Sequence, residues 1–232
     1  MITFSAPLLR SIPLTHDVTQ FDFSLEGQSV EYKAGQFFML QLEDAQGKAS
    51  RAYSVSSAPS EKLFFSLCVK ILPDGRASQF LANFKPGDSA KFMAPFGHFF
   101  MTDSKKDVAM IATGTGLAPF MSMLPTLFEQ GFEGKIDLYF GVRHEADLFY
   151  VDELRAFEAA HPNFRAHVTL SQPPDSWTRL KGRVTDYLNE LDYSNIQVYI
   201  CGNGDMVKGV KDFMQEKGVT KEDLHWEQFT AL

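Results

Sequence analysis

The chain has 232 residues, 44% of them hydrophobic and 22 of them phenylalanine, which suits one large packed domain or two small ones. The formal net charge is −7 and no basic block is longer than Lys105-Lys106, so the composition argues against nucleic-acid binding. No apolar run is long enough to cross a membrane, no secretion signal begins the chain, and the two cysteines match no metal-binding spacing, so we expect a cytoplasmic protein without membrane insertion or a metal site.

From Ile2 to about Met101, short strands alternate with turn residues, a pattern typical of a small antiparallel β-barrel. The predicted strands are 18–25, 36–42, 52–56, 63–70 and 89–93. One short helix, 78–84, interrupts them, and Ser78 is its predicted N-cap.

Two stretches of this barrel carry groups suited to a nucleotide. On an extended strand, Arg51 and Tyr53 point to one face and Ser54 points to the other. Arg51 offers a fork of donors for phosphate, Tyr53 a flat ring, and Ser54 a hydroxyl for a heterocyclic nitrogen. Gly75 permits a turn before the helix, where free N–H groups can meet an anion. A polar strand end and a capped helix without a ligand are the alternatives.

A second phosphate-binding candidate follows the barrel. Residues 108–112 have the composition of a buried parallel strand, 113–116 form a glycine-rich turn, and Pro119 lies in the first turn of a helix that continues over 120–128. Free N–H groups and the helix dipole can meet a phosphate at such a turn. The spacing of Gly114, Gly116 and Pro119 is neither GxGxxG nor a Walker loop, so a turn without a ligand stays open.

The remaining chain alternates strands and helices, which predicts a doubly wound parallel sheet. The predicted strands are 135–141, 164–170, 196–201 and 223–229, and the predicted helices are 150–160, 182–191 and 204–217. Ligands of such sheets lie beyond the carboxyl ends of the strands. Gly114, Gly141, Ser171 and Cys201 are expected at those ends.

Five motifs follow one another along the chain: Arg51-x-Tyr53-Ser54, Gly75-x-x-Ser78, Pro95-x-Gly97-x-Phe99, Gly114-Thr-Gly-x-Ala-Pro119 and Cys201-Gly202. This ordered set resembles the ferredoxin–NADP reductase superfamily over essentially the whole chain. The resemblance implies an antiparallel Greek-key flavin-binding β-barrel over residues 1–101, followed by a doubly wound parallel-sheet nucleotide-binding α/β domain over residues 102–232. It implies FAD as the cofactor, with FMN as the alternative, and NADH as the substrate, with NADPH as the alternative.

The resemblance also implies residue roles in the flavin site. Arg51 would contact the flavin pyrophosphate, Tyr53 would pack along the flavin, and Ser54 would hydrogen-bond near N5, the atom that receives hydride. Further flavin contacts are implied at Val69, Lys70, Gly75, Ala77, Ser78, Thr115 and Phe229.

In the dinucleotide site, the resemblance implies that the Cys201 thiol lies beside nicotinamide C4 and shapes hydride transfer. Glu227 would hydrogen-bond the nicotinamide or relay a proton, so Ser54, Cys201 and Glu227 are the predicted catalytic residues. Further contacts are implied at Gly114, Thr115, Gly116, Pro119, Arg143, Ser171, Gly202 and Met206. A small buried hydrophobic residue at Cys201 and an ordinary last strand around Glu227 are the alternatives.

The preferred interpretation is a flavin-dependent NADH reductase that passes electrons from bound FAD to a separate redox protein, a ferredoxin or an oxygenase component. Two cysteines are too few for a fused four-cysteine cluster, so an iron–sulfur acceptor would be a separate protein. A free-flavin NAD(P)H reductase and a nucleotide-binding subunit without catalysis are the alternatives.

Two residues favour NADH over NADPH. Gln172 stands where NADPH-using relatives carry a cation, and the charge of Asp175 disfavours an added phosphate. Arg143, Arg179 and Lys181 are near enough in sequence to leave NADPH open.

Overall fold

The computed structural model describes residues 1–102 and 104–229. Within these residues the chain divides into two compact units. The first contains Met1–Met101 and Ala118–Gln130, and the second contains Thr102–Leu117 and the chain from Gly131 to the last described residue. A six-stranded sheet is found in each of them.

The sheet of the first unit is antiparallel. Its strands are β1 (Ile2–Pro13), β2 (Val18–Ser24), β3 (Phe37–Asp44), β4 (Gly47–Ser54), β5 (Phe64–Lys70) and β6 (Ser89–Phe96), in the spatial order β4-β3-β6-β1-β2-β5. The long strand β1 pairs with β6 through its first half and with β2 through its second half. A bridge between Val55 and Leu67 links the two ends of the sheet, so the sheet curls into the predicted barrel.

Phenylalanine side chains fill this barrel. Phe23, Phe38, Phe65 and Phe92 are all fully buried. The ring centroid of Phe65 lies 4.9 Å from that of Phe38 and 5.1 Å from that of Phe92. Aromatic rings at such separations stabilise a core through both buried area and ring geometry. The abundance of phenylalanine in the sequence is therefore explained in part by this cluster.

Two local predictions in the barrel differ from the structure. The strand predicted at 52–56 begins earlier, because Asp44 and Gly47 close a tight hairpin in which Gly47 adopts a φ of +94°. The predicted helix is α1 (Arg76–Ala82), and its N-cap is Gly75, so the prediction of Ser78 as the N-cap is wrong. The Ser78 hydroxyl instead accepts a hydrogen bond from the Leu72 N–H at 3.1 Å and donates one to the Gly75 carbonyl at 2.9 Å.

A second helix, α2 (Ala118–Glu129), packs with the barrel unit although it follows a strand of the second unit in the chain. The Ser122 hydroxyl donates to the Ser57 carbonyl at 2.6 Å. The ring centroids of Phe120 and Phe99 lie 5.8 Å apart. The domain boundary after Met101 therefore stays a prediction, since residues on both sides of it pack with the barrel.

The second unit has the predicted parallel sheet. Its strands are β7 (Asp107–Thr113), β8 (Ile136–Val142), β9 (Phe164–Leu170), β10 (Leu180–Lys181), β11 (Ile196–Asn203) and β12 (Leu224–Phe229), in the order β10-β9-β8-β7-β11-β12. Its α-helices within the described residues are α3 (Val151–Ala160) and α4 (Gly204–Glu216), and 3₁₀ helices cover 114–117, 145–147, 184–190 and 221–223. The helix predicted at 182–191 is thus shorter and is 3₁₀, as the 3.0 Å bond from Asp186 N–H to Arg183 O illustrates.

The chain adds strands first on one side of β7 and then on the other. The chain proceeds from β7 to β8 and β9 on one side, and then returns to place β11 and β12 on the other side of β7. The strand order therefore changes sides between β7 and β11, and open parallel sheets bind their ligands in the crevice beyond the carboxyl ends of the strands at such a point.

We predict that Phe65→Ala will lower the free energy of unfolding by about 3–5 kcal/mol, because it removes a buried ring and leaves a cavity. Denaturant titration of purified protein measures this change. The matched control is Leu63→Ala, since Leu63 is 72% exposed, and its effect should stay below about 0.5 kcal/mol. Equal effects of the two substitutions would contradict the described core.

Candidate nucleotide-binding sites

The end of β4 carries the first predicted site. Arg51 pairs with Leu40 of β3 and Tyr53 pairs with Phe38, and both β3 residues belong to the barrel core. Directly paired residues share a face of the sheet, so Arg51 and Tyr53 lie on the inner face of β4 while Ser54 lies on the opposite face. Both inner residues are half-buried, whereas Ser54 is buried.

Charge and burial at this strand suit a flat anionic ligand. Burial raises the pKa of Tyr53 to about 12, although the positive charge of Arg51 acts to lower it. The phenol is therefore neutral at physiological pH. A neutral ring beside a guanidinium can pack along a heterocycle while the cation meets its phosphates. This donor set fits a flavin nucleotide.

The start of α1 lies in the same unit. A Cβ on Gly75 would lie 2.5 Å from Ser78 Oγ and 2.9 Å from Leu72 Cβ, so a larger residue would crowd this turn. No side chain caps the first N–H groups of α1, which leaves them able to face an anion. Ala77 packs against the barrel core, and Arg76 pairs with Asp44 at 2.6 Å. The hydroxyl of Ser78 is already engaged within the turn.

The side chains of two further predicted flavin residues, Val69 and Lys70, already make contacts within the protein. Val69 is 1% exposed and belongs to the barrel core, so its backbone is the part available to a ligand. Lys70 pairs with Asp17 at 2.8 Å. Thr115 and Phe229, also predicted for the flavin, belong to the second unit.

The glycine turn after β7 contacts the end of β11 through backbone atoms. A Cβ on Gly116 would lie 2.5 Å from the carbonyl carbon of Cys201 and 2.7 Å from Gly202 Cα. Real Cβ atoms do not approach other atoms so closely, so this contact requires glycine. The turn after β7 and the end of β11 are therefore in direct contact at the base of the crevice.

A polar group without a partner lies at the same place. The Thr113 hydroxyl oxygen is buried and makes no hydrogen bond among the described residues. A Cβ on Gly202 would overlap this oxygen and would lie 2.7 Å from Met206 Cε. Buried hydroxyls are nearly always paired, so an unpaired one in the crevice of a parallel sheet fits a site that a polar ligand completes.

Cys201 is fully buried on β11, between Ala112 of β7 and Glu227 of β12. Burial, together with the nearby charge of Glu227, raises the pKa of the Cys201 thiol well above its usual range. A neutral buried thiol is a poor nucleophile, so its contribution is to shape and polarity. Phe229, the last described residue, pairs with Asn203 at the same edge.

The carboxyl ends of β8 and β9 form the outer part of this edge. Ser171 N–H donates to Val142 O at 3.1 Å and Gln172 N–H donates to Arg143 O at 2.8 Å, which continues the pairing beyond the strands. An open cavity of about 520 Å³ lies here. It is lined by His144, Glu145, Ala146, Gln172, Pro173 and Pro174.

The cavity-lining residues 144–146 were not identified from the sequence, although they lie only a short distance after the predicted strand 135–141. The predicted residues of the second unit fall into two groups along one edge. Gly114, Thr115, Gly116, Cys201, Gly202 and Met206 lie around the β7–β11 crevice, whereas Arg143 and Ser171 follow β8 and β9. Pro119 lies in α2, which packs with the barrel unit.

No group of three or more histidine, cysteine, aspartate or glutamate side chains in 1–102 and 104–229 is arranged to hold a metal ion. No helix in those ranges combines the length and apolar character that crossing a membrane requires.

Comparison with known protein families gives two matches that together span most of the chain. The family described as the oxidoreductase FAD-binding domain matches residues 5–101. The family described as the oxidoreductase NAD-binding domain matches residues 110–212. The first match contains the Arg51 strand and α1, and the second contains the glycine turn, the crevice and the cavity.

Individual relatives support the same assignment. The chain is 35% identical to the toluate 1,2-dioxygenase electron transfer component of Pseudomonas putida over 85% of its own length and 58% of the relative. It is 32% identical to ferredoxin–NADP reductase B of Sorangium cellulosum over 97% of both chains. The cytochrome P450 reductase GcoB of Amycolatopsis superposes with a TM-score of 0.91 at 25% identity, over 99% of this chain and 70% of that one.

We predict that Gly116→Ala will destabilise the protein by about 1–3 kcal/mol, because its new methyl group overlaps the backbone of β11. Gly209→Ala is the matched control, since it lies in α4 with nothing within 4 Å of an added Cβ. That control should instead stabilise by roughly 0.4–1 kcal/mol. Thermal unfolding of both variants measures the two signs, and a neutral Gly116→Ala would contradict the close contact.

Proposed function

Because the chain belongs to the ferredoxin–NADP reductase superfamily, we propose that it is a flavin-dependent NADH reductase that serves a separate redox protein. The observation that carries the proposal is the crevice at β7 and β11, where a glycine-only contact, an unpaired buried hydroxyl and a buried thiol come together. It lies within the part of the chain that matches the NAD-binding family.

The barrel residues would hold FAD. Arg51 would pair with its pyrophosphate, Tyr53 would pack along the ring system, and the uncapped start of α1 would donate N–H groups to phosphate. Ser54, buried at the end of β4, would orient the reactive edge. Bound FAD supplies the hydride acceptor and links a two-electron donor to one-electron acceptors.

The crevice residues would hold the nicotinamide half of NADH. The N–H groups of the turn 114–117 would bind its pyrophosphate, and the Thr113 hydroxyl would gain the partner that it lacks. Cys201 would exclude water and hold the nicotinamide at the angle that transfer requires, since its raised thiol pKa keeps it neutral. Glu227, paired with Cys201 across the sheet, would accept or return a proton there.

The residues that follow β9 bear on the choice between NADH and NADPH. A 2′-phosphate carries nearly two negative charges and needs cationic partners. Gln172 lines the cavity and Asp175 is exposed in the same loop. These features support NADH as the preferred substrate, with NADPH as the poorer one.

We propose an iron–sulfur protein as the electron acceptor and the cytoplasm as the location. Several relatives are named as electron transfer components or reductase subunits of oxygenases. The chain spans 58% of the length of the toluate dioxygenase component, which leaves room there for sequence with no counterpart in this chain. Cys68 and Cys201 are buried thiols that form no disulfide, which suits a reducing compartment.

Anaerobic titration with NADH tests the function. The purified protein should be yellow, and one equivalent of NADH should bleach the flavin absorbance. Cys201→Ala should keep its FAD but slow bleaching in stopped-flow by about tenfold to a hundredfold, because the nicotinamide is less well positioned. Cys68→Ala, which changes a buried thiol of the barrel, is the matched control and should leave the rate unchanged.

Two outcomes would contradict the proposal. A colourless protein that refuses added flavin at micromolar concentration would remove the cofactor from the mechanism. Loss of the yellow colour on gel filtration would favour a free-flavin reductase, in which flavin is a substrate.

A separate measurement tests the contribution of Arg51 to the affinity for FAD. Arg51→Ala should weaken FAD binding by about 1.5–3 kcal/mol, the scale of a charged hydrogen bond. Calorimetric titration of the flavin-free protein with FAD measures the loss. Arg155→Ala is the control, since Arg155 is exposed on α3 and pairs with Asp152 at 2.9 Å. Unchanged affinity in the Arg51 variant would remove that residue from the site.

A further inference from the structure

The cavity beyond β8 and β9 has an unusual distribution of charge for a nucleotide site. Among its lining residues within the described chain there is no lysine or arginine, and Glu145 supplies a carboxylate. The nearby cations Arg143 and Lys181 are exposed and do not line the cavity. A phosphate entering here would therefore meet the Glu145 carboxylate and no lining lysine or arginine.

The position of Glu145 in the sheet is informative. β8 is the second strand of this sheet in chain order, after β7, and Glu145 lies shortly after its last residue, Val142. In doubly wound sheets that bind dinucleotides, an acidic residue near the end of the second strand faces the adenosine ribose and favours the form without a 2′-phosphate. Glu145 follows the second strand of this sheet and begins the 3₁₀ helix after it, which is the part of the sheet where such a residue is expected.

Local structure holds Glu145 in place. It begins the 3₁₀ helix 145–147, whose start is fixed by the His144 N–H donating to Asp147 Oδ2 at 2.9 Å. The Glu145 carbonyl accepts from Leu148 N–H at 3.1 Å. Its carboxylate is exposed, and in the ranges that the structure describes it makes no hydrogen bond or ion pair. Its charge is thus not neutralised by a neighbouring side chain.

We propose that Glu145 is a specificity-determining residue, whose carboxylate repels the 2′-phosphate of NADPH and so makes this cavity select NADH. The inference rests on the proposed function and adds a residue that sequence reasoning did not identify. Repulsion between charges at an exposed site is screened by salt, with a Debye length of about 10 Å at 0.1 M ionic strength. The mechanism therefore predicts a preference that depends on ionic strength.

Steady-state kinetics with NADH and NADPH tests the role. Glu145→Gln should lower the ratio of kcat/KM for NADH over NADPH by about fivefold, and Glu145→Lys should lower it further. In the unsubstituted protein the ratio should fall as salt rises, and in Glu145→Gln this dependence should weaken. A role confined to folding would not remove the salt dependence.

Glu216→Gln is the matched control, because it removes the same charge from the same unit. Glu216 ends the thirteen-residue helix α4, so it lies ~18 Å along the helix axis from Gly204, which directly follows the carboxyl end of β11. The control should keep the ratio and its salt dependence. If Glu145→Gln also keeps both, or if the control changes them equally, the inference is overturned.

Direct binding separates this inference from the proposed function. Calorimetry with 5′-AMP and 2′,5′-ADP should show tighter binding of 5′-AMP, and Glu145→Gln should reduce the difference. If this holds but NADH does not reduce the protein, the selectivity stands and the proposed reductase function fails. If NADH reduces the protein while neither probe binds, or both bind equally, the proposal for Glu145 fails and the function stands.

Discussion

The contact between the turn after β7 and the end of β11 is made by backbone atoms, because Gly116 has no side chain to separate them. Everything proposed for the second unit depends on that approach. It brings the glycine-rich turn next to the strand end that carries Cys201 and Gly202. A larger residue at either glycine would widen the crevice and move the thiol away from the turn.

Different strands at the carboxyl edge of the parallel sheet offer different chemical groups to a ligand. The ends of β7 and β11 offer N–H groups, a hydroxyl and a neutral thiol, which suit pyrophosphate and an uncharged ring. The ends of β8 and β9 offer Glu145 and Gln172, which suit a ribose with free hydroxyls. A dinucleotide extended along the edge would thus meet different chemistry at its two ends, with neighbouring strands in a sheet about 4.8 Å apart.

Periodicity predicted most of the fold because burial is regular in both sheets. The strand 164–170 agrees with the structure residue for residue, since both of its ends fall at turns. The start of β4 was missed because the hairpin at Asp44–Gly47, rather than hydrophobic alternation, sets it. The helix predicted at 182–191 has apolar residues at helical spacing, but that spacing does not distinguish a 3₁₀ helix from an α-helix.

The candidate site was predictable where it depends on residue type and much less where it depends on the backbone. The motif residues around Arg51 and Cys201 can be recognised in the sequence. The hydrogen bonds of the Ser78 hydroxyl with Leu72 N–H and Gly75 O, in contrast, can be identified only from coordinates. The cavity at Glu145 arises from two loops 27 residues apart in sequence, counted from Glu145 to Gln172. No local pattern marks such a meeting, although the parallel topology implies it.

The membership of α2 in the barrel unit makes the second unit discontinuous along the chain. A fragment ending at Met101 would lack the Ser122 donor to Ser57 and the Phe120 ring against Phe99. Chimeras that exchange whole barrels between related reductases would therefore need to carry residues 118–130 along with residues 1–101. A single crossover point would graft each barrel onto a foreign helix.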